Sequence, residues 1–145
     1  PFIPESGKLY EVSGLVDATN TFIGVGFNLS FSIANEPGAW VRVDTDYTAT
    51  DAIKGYLGAW TKDLRNSTGP VDPGYVTVAV QLDTRPEKWT AEFFYNGVSL
   101  GSPSAYSTNP TITTVGLLAY TQDGPDANSF QLREIDPTMT LITLR

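Results

Sequence analysis

The sequence predicts an all-β domain, a two-sheet antiparallel β-sandwich of jelly-roll type, on three observations. Short runs alternate apolar and polar residues with a period of two. Clusters of Gly, Pro, Asn and Asp punctuate those runs at regular spacing, and no sustained period of 3.6 residues appears. A chain of 145 residues suits one domain with its own core, and 41% hydrophobic against 17% charged residues is a globular composition.

Residues 1–8 are expected as an extended arm, because Pro1 and Pro4 bracket Phe2 and Ile3 ahead of the Ser6-Gly7 turn. The single sandwich domain then spans 9–145, with its first strand starting at Leu9 and a second running from Phe22 through the alternation of Phe27, Leu29, Phe31 and Ile33. After Glu36-Pro37-Gly38, the run Ala39 to Asp44 places Trp40, Arg42 and Asp44 opposite Ala39, Val41 and Val43. Asp46 to Lys54 reads as loop, with one helical turn over Thr50 to Leu57 as the alternative, and Gly55 to Trp60 is a short strand. The densest breaker cluster, Asn66 to Gly74, is loop.

Two strands follow, one carrying Val76, Val78, Val80 and Leu82 on one face, the next Trp89, Ala91, Phe93 and Tyr95. Asn96-Gly97 predicts a two-residue type I′ turn into a returning strand over Val98 to Gly101, since both central residues must hold positive φ. Further strands fit Thr111 to Thr121, Asn128 to Glu134 and Thr138 to Leu144, separated by Asp123-Gly124-Pro125 and by Pro137. The expected core includes Phe27, Leu29, Phe31, Val76, Val78, Val80, Trp89 and Phe93.

The stretch from Leu82 to Gly101, LDTRPEKWTAEFFYNGVSLG, resembles the hairpin of concanavalin A-like and laminin-G-like jelly rolls. The opening GKLYEVSGLVDAT, the following FIGVGFNLS and the later NPTITTVGLLAY resemble flanking strands of small secreted bacterial members, often those with a PEP-CTERM sorting tail. The likeness spans most of Gly7 to Leu132. Residues 135–145 show neither an apolar anchor nor a basic cluster, so they depart from that sorting pattern. The resemblance implies fold more than function, because the matching letters are mostly turn and core residues.

With no Cys and no His, thiol nucleophiles, Ser-His relays, thiolate or imidazole zinc sites and histidine switches are all excluded. A formal charge of −7 repels phosphate backbones and anionic lipid, so no nucleic-acid partner is expected. No apolar run approaches the ~18 residues of a helical span, so membrane insertion is not expected either. The start at Pro1, without Met or an apolar leader, is that of a mature secreted chain or a trimmed one, and the expected location is extracellular or at the cell surface.

Some jelly-roll glycosidases carry paired carboxylates as E-x-D-x-x-E on one strand. Glu134-Ile135-Asp136 begins that pattern, but Met139 or Thr140 stands where the second glutamate belongs, so no enzyme is expected. The primary expectation is a lectin-like module that binds a glycan or mediates adhesion through Trp40, Arg42, Asp44, Tyr56 and Trp60. Sugar rings stack on aromatic faces while polar side chains bond the hydroxyls. The alternative for the same aromatics is that they cover the outer sheet or plug loop ends. Asp123, Asp126 and Asn128 in a Gly-Pro loop are candidate calcium ligands, or simply loop caps. Asn28-Leu29-Ser30 and Asn66-Ser67-Thr68 match the glycosylation sequon, the first inside an expected strand.

A rival function is a self-assembling subunit of an extracellular fibre or matrix. Phe2 and Ile3 of the arm, or Leu141 and Ile142 in the uncharged, β-prone run Thr138 to Leu144, would join identical copies.

Overall fold

The computed structural model describes residues 1–17, 22–29, 38–44, 53–57, 63–64, 74–120 and 126–136, with side chains for all of these except 22, 44, 54, 63, 64, 120 and 126. Among them are eleven strands and no helix: β1 Leu9–Asp17, β2 Phe22–Phe27, β3 Ala39–Asp44, β4 Ile53–Leu57, β5 Asp63–Leu64, β6 Val76–Asp83, β7 Thr90–Tyr95, β8 Val98–Ser99, β9 Ser104–Ala105, β10 Val115–Tyr120 and β11 Asp126–Glu134. No helix of the described residues is long and apolar enough to cross a membrane.

The strands form two antiparallel sheets. One runs β11-β1-β6-β7-β8, with β9 also on β7, and the other runs β10-β2-β3-β4-β5. Val12, Val16, Val76, Val78, Val80, Leu82, Ala91 and Phe93 face inward from the first sheet, and Ile23, Val25, Phe27, Ala39, Val41, Val43, Ile53 and Leu57 from the second. Each large apolar side chain buried this way contributes about 1.5–3 kcal/mol. Alternation therefore sets the inner face of every long strand, and the protein is an all-β sandwich.

Several elements differ from expectation. β2 stops at Phe27 because Asn28 turns to φ 46°, so the expected alternation does not continue unbroken through Leu29, while Phe31 and Ile33 lie outside the described residues. The fourth strand occupies Ile53–Leu57, excluding a helical turn there and starting before the expected Gly55. Tyr56 pairs with Trp40 and Leu57 with Ala39, so the alternation itself is as expected. Trp89 is half-buried against the core. The Asn96-Gly97 turn is as expected: φ is 47° and 76°, Tyr95 pairs with Val98, and Asn96 Oδ1 accepts from the Thr77 N–H at 2.9 Å.

The arm lies on its own domain. Phe2 donates its N–H to the Thr113 carbonyl at 3.0 Å, and its ring meets Tyr10 edge-on at 5.3 Å and Phe27 at 5.7 Å. Thr84, fully buried, clamps the arm from the other side: its Oγ1 accepts from the Lys8 N–H at 2.9 Å and donates to the Glu5 carbonyl at 2.6 Å.

Tyr106 is buried, and its hydroxyl finds no partner among the described residues, so burial pushes its pKa upward. An unsatisfied buried hydroxyl costs stability. Tyr106→Phe is therefore expected to raise stability against denaturant by about 1 kcal/mol. A loss of stability would show that the hydroxyl has a partner.

Candidate functional site

The expected aromatic face does form, but closed. Trp40 and Tyr56 stack at 4.4 Å with planes 17° apart, on the side of β3 and β4 away from the core, and they are only 3% and 2% exposed. The glycines of β2 make room for them. A Cβ on Gly24 would lie 2.8 Å from Trp40 Cε3, so the indole rests directly on that backbone. At that exposure neither ring offers a face to a sugar, which corrects the expected stacking role. Arg42 shares this face, half-buried. Asp44 pairs with Phe22 in the ladder, its side chain is not described, and Trp60 lies outside the described residues.

The candidate calcium residues are also placed differently. Asp123 lies outside the described residues, whereas Asp126 and Asn128 belong to β11 instead of a loop. Asp126 pairs with Asp17, and Asn128 is the extra residue of a bulge, since Val16 pairs with Ala127 and Leu15 with Ser129. Among the described residues no group of three or more Asp or Glu stands ready for a metal ion. Of the expected self-association residues, Phe2 is committed to its own core, Ile3 is exposed, and Leu141 and Ile142 lie outside the described residues.

Sequence reasoning missed a groove on the outer face of the first sheet. Directly opposed residues of antiparallel strands share a face. The register thus makes one row of Arg133, Glu11, Gln81 and Glu92, and beside it a second row of Gln131, Ser13, Ala79 and Phe94. The small side chains of Ser13 and Ala79 leave the middle of the second row low, with Phe94 on one flank and Gln131 on the other. The result is a groove of about 370 Å³ lined by these residues other than Glu92, together with Thr77 and Gly97.

Its floor is pre-arranged by charge. Glu11 is buried, and its Oε1 accepts from Arg133 Nε at 3.0 Å and Nη2 at 2.7 Å while Oε2 accepts from Gln81 Nε2 at 2.9 Å. Charge-assisted bonds of this kind are stronger than neutral ones and hold the guanidinium and amide in one orientation. Arg133 remains half exposed beyond Glu11, and Phe94 is half-buried. The face therefore presents guanidinium and amide groups held by Glu11, a hydroxyl and one apolar ring, a set suited to a polyhydroxylated ligand. No family model matches the chain, and no curated protein matches it.

Proposed function

We propose that the domain is a non-catalytic, lectin-like extracellular module that binds a saccharide in the groove on the outer face of the first sheet. The observation that carries this reading is the Arg133–Glu11–Gln81 network beside the small floor of Ser13 and Ala79 and the ring of Phe94. Both Glu11 oxygens are engaged by the chain itself, which supports a positioning role in binding over a part in acid–base chemistry. Kinship with concanavalin A-like jelly rolls belongs to the same proposal. A shallow groove with one aromatic ring gives weak single-site affinity, so display in several copies strengthens attachment.

A glycan array over plant, algal and microbial polysaccharides, with and without calcium, tests this. Phe94→Ala and Gln131→Ala should each weaken binding about tenfold, equivalent to 1.4 kcal/mol. Trp40→Phe should leave it unchanged in whatever protein remains folded, because that ring is closed off. Silence across the array, or binding that follows Trp40 and ignores Phe94, would refute the groove.

A further inference from the structure

Among the described residues, the two sheets end together on one side of the sandwich. β11 is the edge of one and β10 the edge of the other, and their neighbours β1 and β2 pack face to face. Leu132 pairs with Val12 and Phe130 with Gly14, while Leu117 pairs with Val25, so all three point to the interior side. Leu117 also reaches Gly14, where a Cβ would lie 3.5 Å from its Cδ2. Yet Phe130, Leu132 and Leu117 are 42%, 37% and 38% exposed. Inward-pointing apolar side chains left this wet form an exposed apolar strip along the open edge of the sandwich, beside the unpaired outer edge that β11 has among the described residues.

We propose that this strip receives the segment Thr138 to Leu144 of a second copy of the chain, which pairs with the outer edge of β11 and covers Phe130, Leu132 and Leu117. The segment has the required chemistry. Its seven residues, Thr-Met-Thr-Leu-Ile-Thr-Leu, carry no charge and are rich in β-branched side chains. Extended, they reach about 23 Å, enough to run along most of the nine residues of β11. The other apolar segment near an end, the arm with Phe2, is already spent on its own core.

A neighbouring copy is favoured over the same chain by the connection. The Ile135 N–H donates to the Leu9 carbonyl at 2.7 Å, so the ladder with β1 runs past Glu134 and leaves only Asp136 and Pro137 for a tight reversal. Type I′ turns need positive φ at both central residues, which proline cannot adopt, and type II′ turns want glycine where Asp136 stands. Donor segment and acceptor edge are different surfaces, so each copy that docks offers a new segment and the assembly grows head to tail. This surface is separate from the saccharide groove, because Arg133 and Gln131 point outward from β11 while Phe130 and Leu132 point inward.

Light scattering and sedimentation of the whole chain across a concentration series provide the test. The unmodified chain should grow beyond two copies. An acceptor variant, Phe130→Lys with Leu132→Lys, and a donor variant, Leu141→Lys with Ile142→Lys, should each stay at one copy, and an equal mixture of the two should stop at two. A synthetic peptide of residues 138–145 should bind the donor variant one to one and block growth of the unmodified chain, which keeps the test decisive if the acceptor variant fails to fold. An unmodified chain that stays single at every concentration overturns the proposal, as docking within one chain would require. A donor variant that associates as well as the parent overturns it in favour of direct β11-to-β11 pairing.

Discussion

Gly26→Ala is expected to take most of the folded population with it, although it adds only one methyl group. A Cβ at Gly26 would lie 2.3 Å from the Ala39 carbonyl oxygen and 2.5 Å from both Cα and Cβ of Trp40. These are atoms of β3 held in place, not the free end of a flexible side chain. β3 cannot retreat, because β4 pairs with its other edge and the Phe27–Ala39 and Val25–Val41 pairs flank the contact. Overpacking usually costs 1–3 kcal/mol, and with backbone in the way the expected loss is about 4 kcal/mol or more, against a total of roughly 5–15 kcal/mol for a domain. Gly116→Ala is the internal control. Gly116 pairs with Gly26 across β10, yet a Cβ there meets nothing within 4 Å, so its effect on the denaturant midpoint should be small. Equal losses in the two variants would show that the clash at Gly26 is relieved in solution.

Asn28→Ala is expected to cost about 3–4 kcal/mol, and to lower the melting temperature by roughly 10 °C. Asn28 is buried, holds φ at 46°, and links the end of β2 to the segment before β10. Its Nδ2 donates to the Thr111 carbonyl at 2.7 Å, and its Oδ1 accepts from the N–H groups of Thr113 at 2.9 Å and Thr114 at 3.1 Å. Alanine leaves those buried backbone groups without partners and adds the strain of a left-handed conformation that asparagine tolerates better. Asn28→Gly separates the two contributions, since it removes the bonds and relieves the backbone; it should recover about 1 kcal/mol of the loss. The same geometry disfavours Asn28 as a glycan acceptor in the folded protein, because its side chain is buried and bonded to Thr111. A melting temperature unchanged in Asn28→Ala would mean that these bonds do not hold the two segments together.

The groove on the outer face of the first sheet and the Trp40–Tyr56 pair show two kinds of information that a linear reading handles differently. Glu11, Ser13, Thr77, Ala79, Gln81, Glu92 and Phe94 all alternate with core residues, so each is identifiable from the letters as an outward position. What the letters do not show is that these residues adjoin. Arg133 and Gln81 bond to Glu11 across 122 and 70 residues of chain, and no local pattern encodes that pairing. The aromatic site failed for the complementary reason. Trp40 and Tyr56 do share a face, as their alternation implied, but the glycines of β2 that let the indole lie flat on the backbone belong to a strand whose neighbour could not be read from its letters.

By itself the sequence determined the all-β class, the inward faces of β2, β3, β6 and β7 and the Asn96-Gly97 hairpin. These depend on burial alternation and on local backbone preference, which act over a few residues and leave a period or a dipeptide behind. Apart from that hairpin, tertiary structure alone decided which strands neighbour one another, and with that everything built on adjacency: the Arg133–Glu11–Gln81 row, the closure of Trp40 against Tyr56, the clamp of Asn28 on residues 111–114 and the exposure of Phe130 at the edge. The physical reason is that strand pairing is made by backbone groups common to every residue. Register is chosen by the collective fit of two sheets, and side-chain letters record which face is buried but not which partner lies alongside.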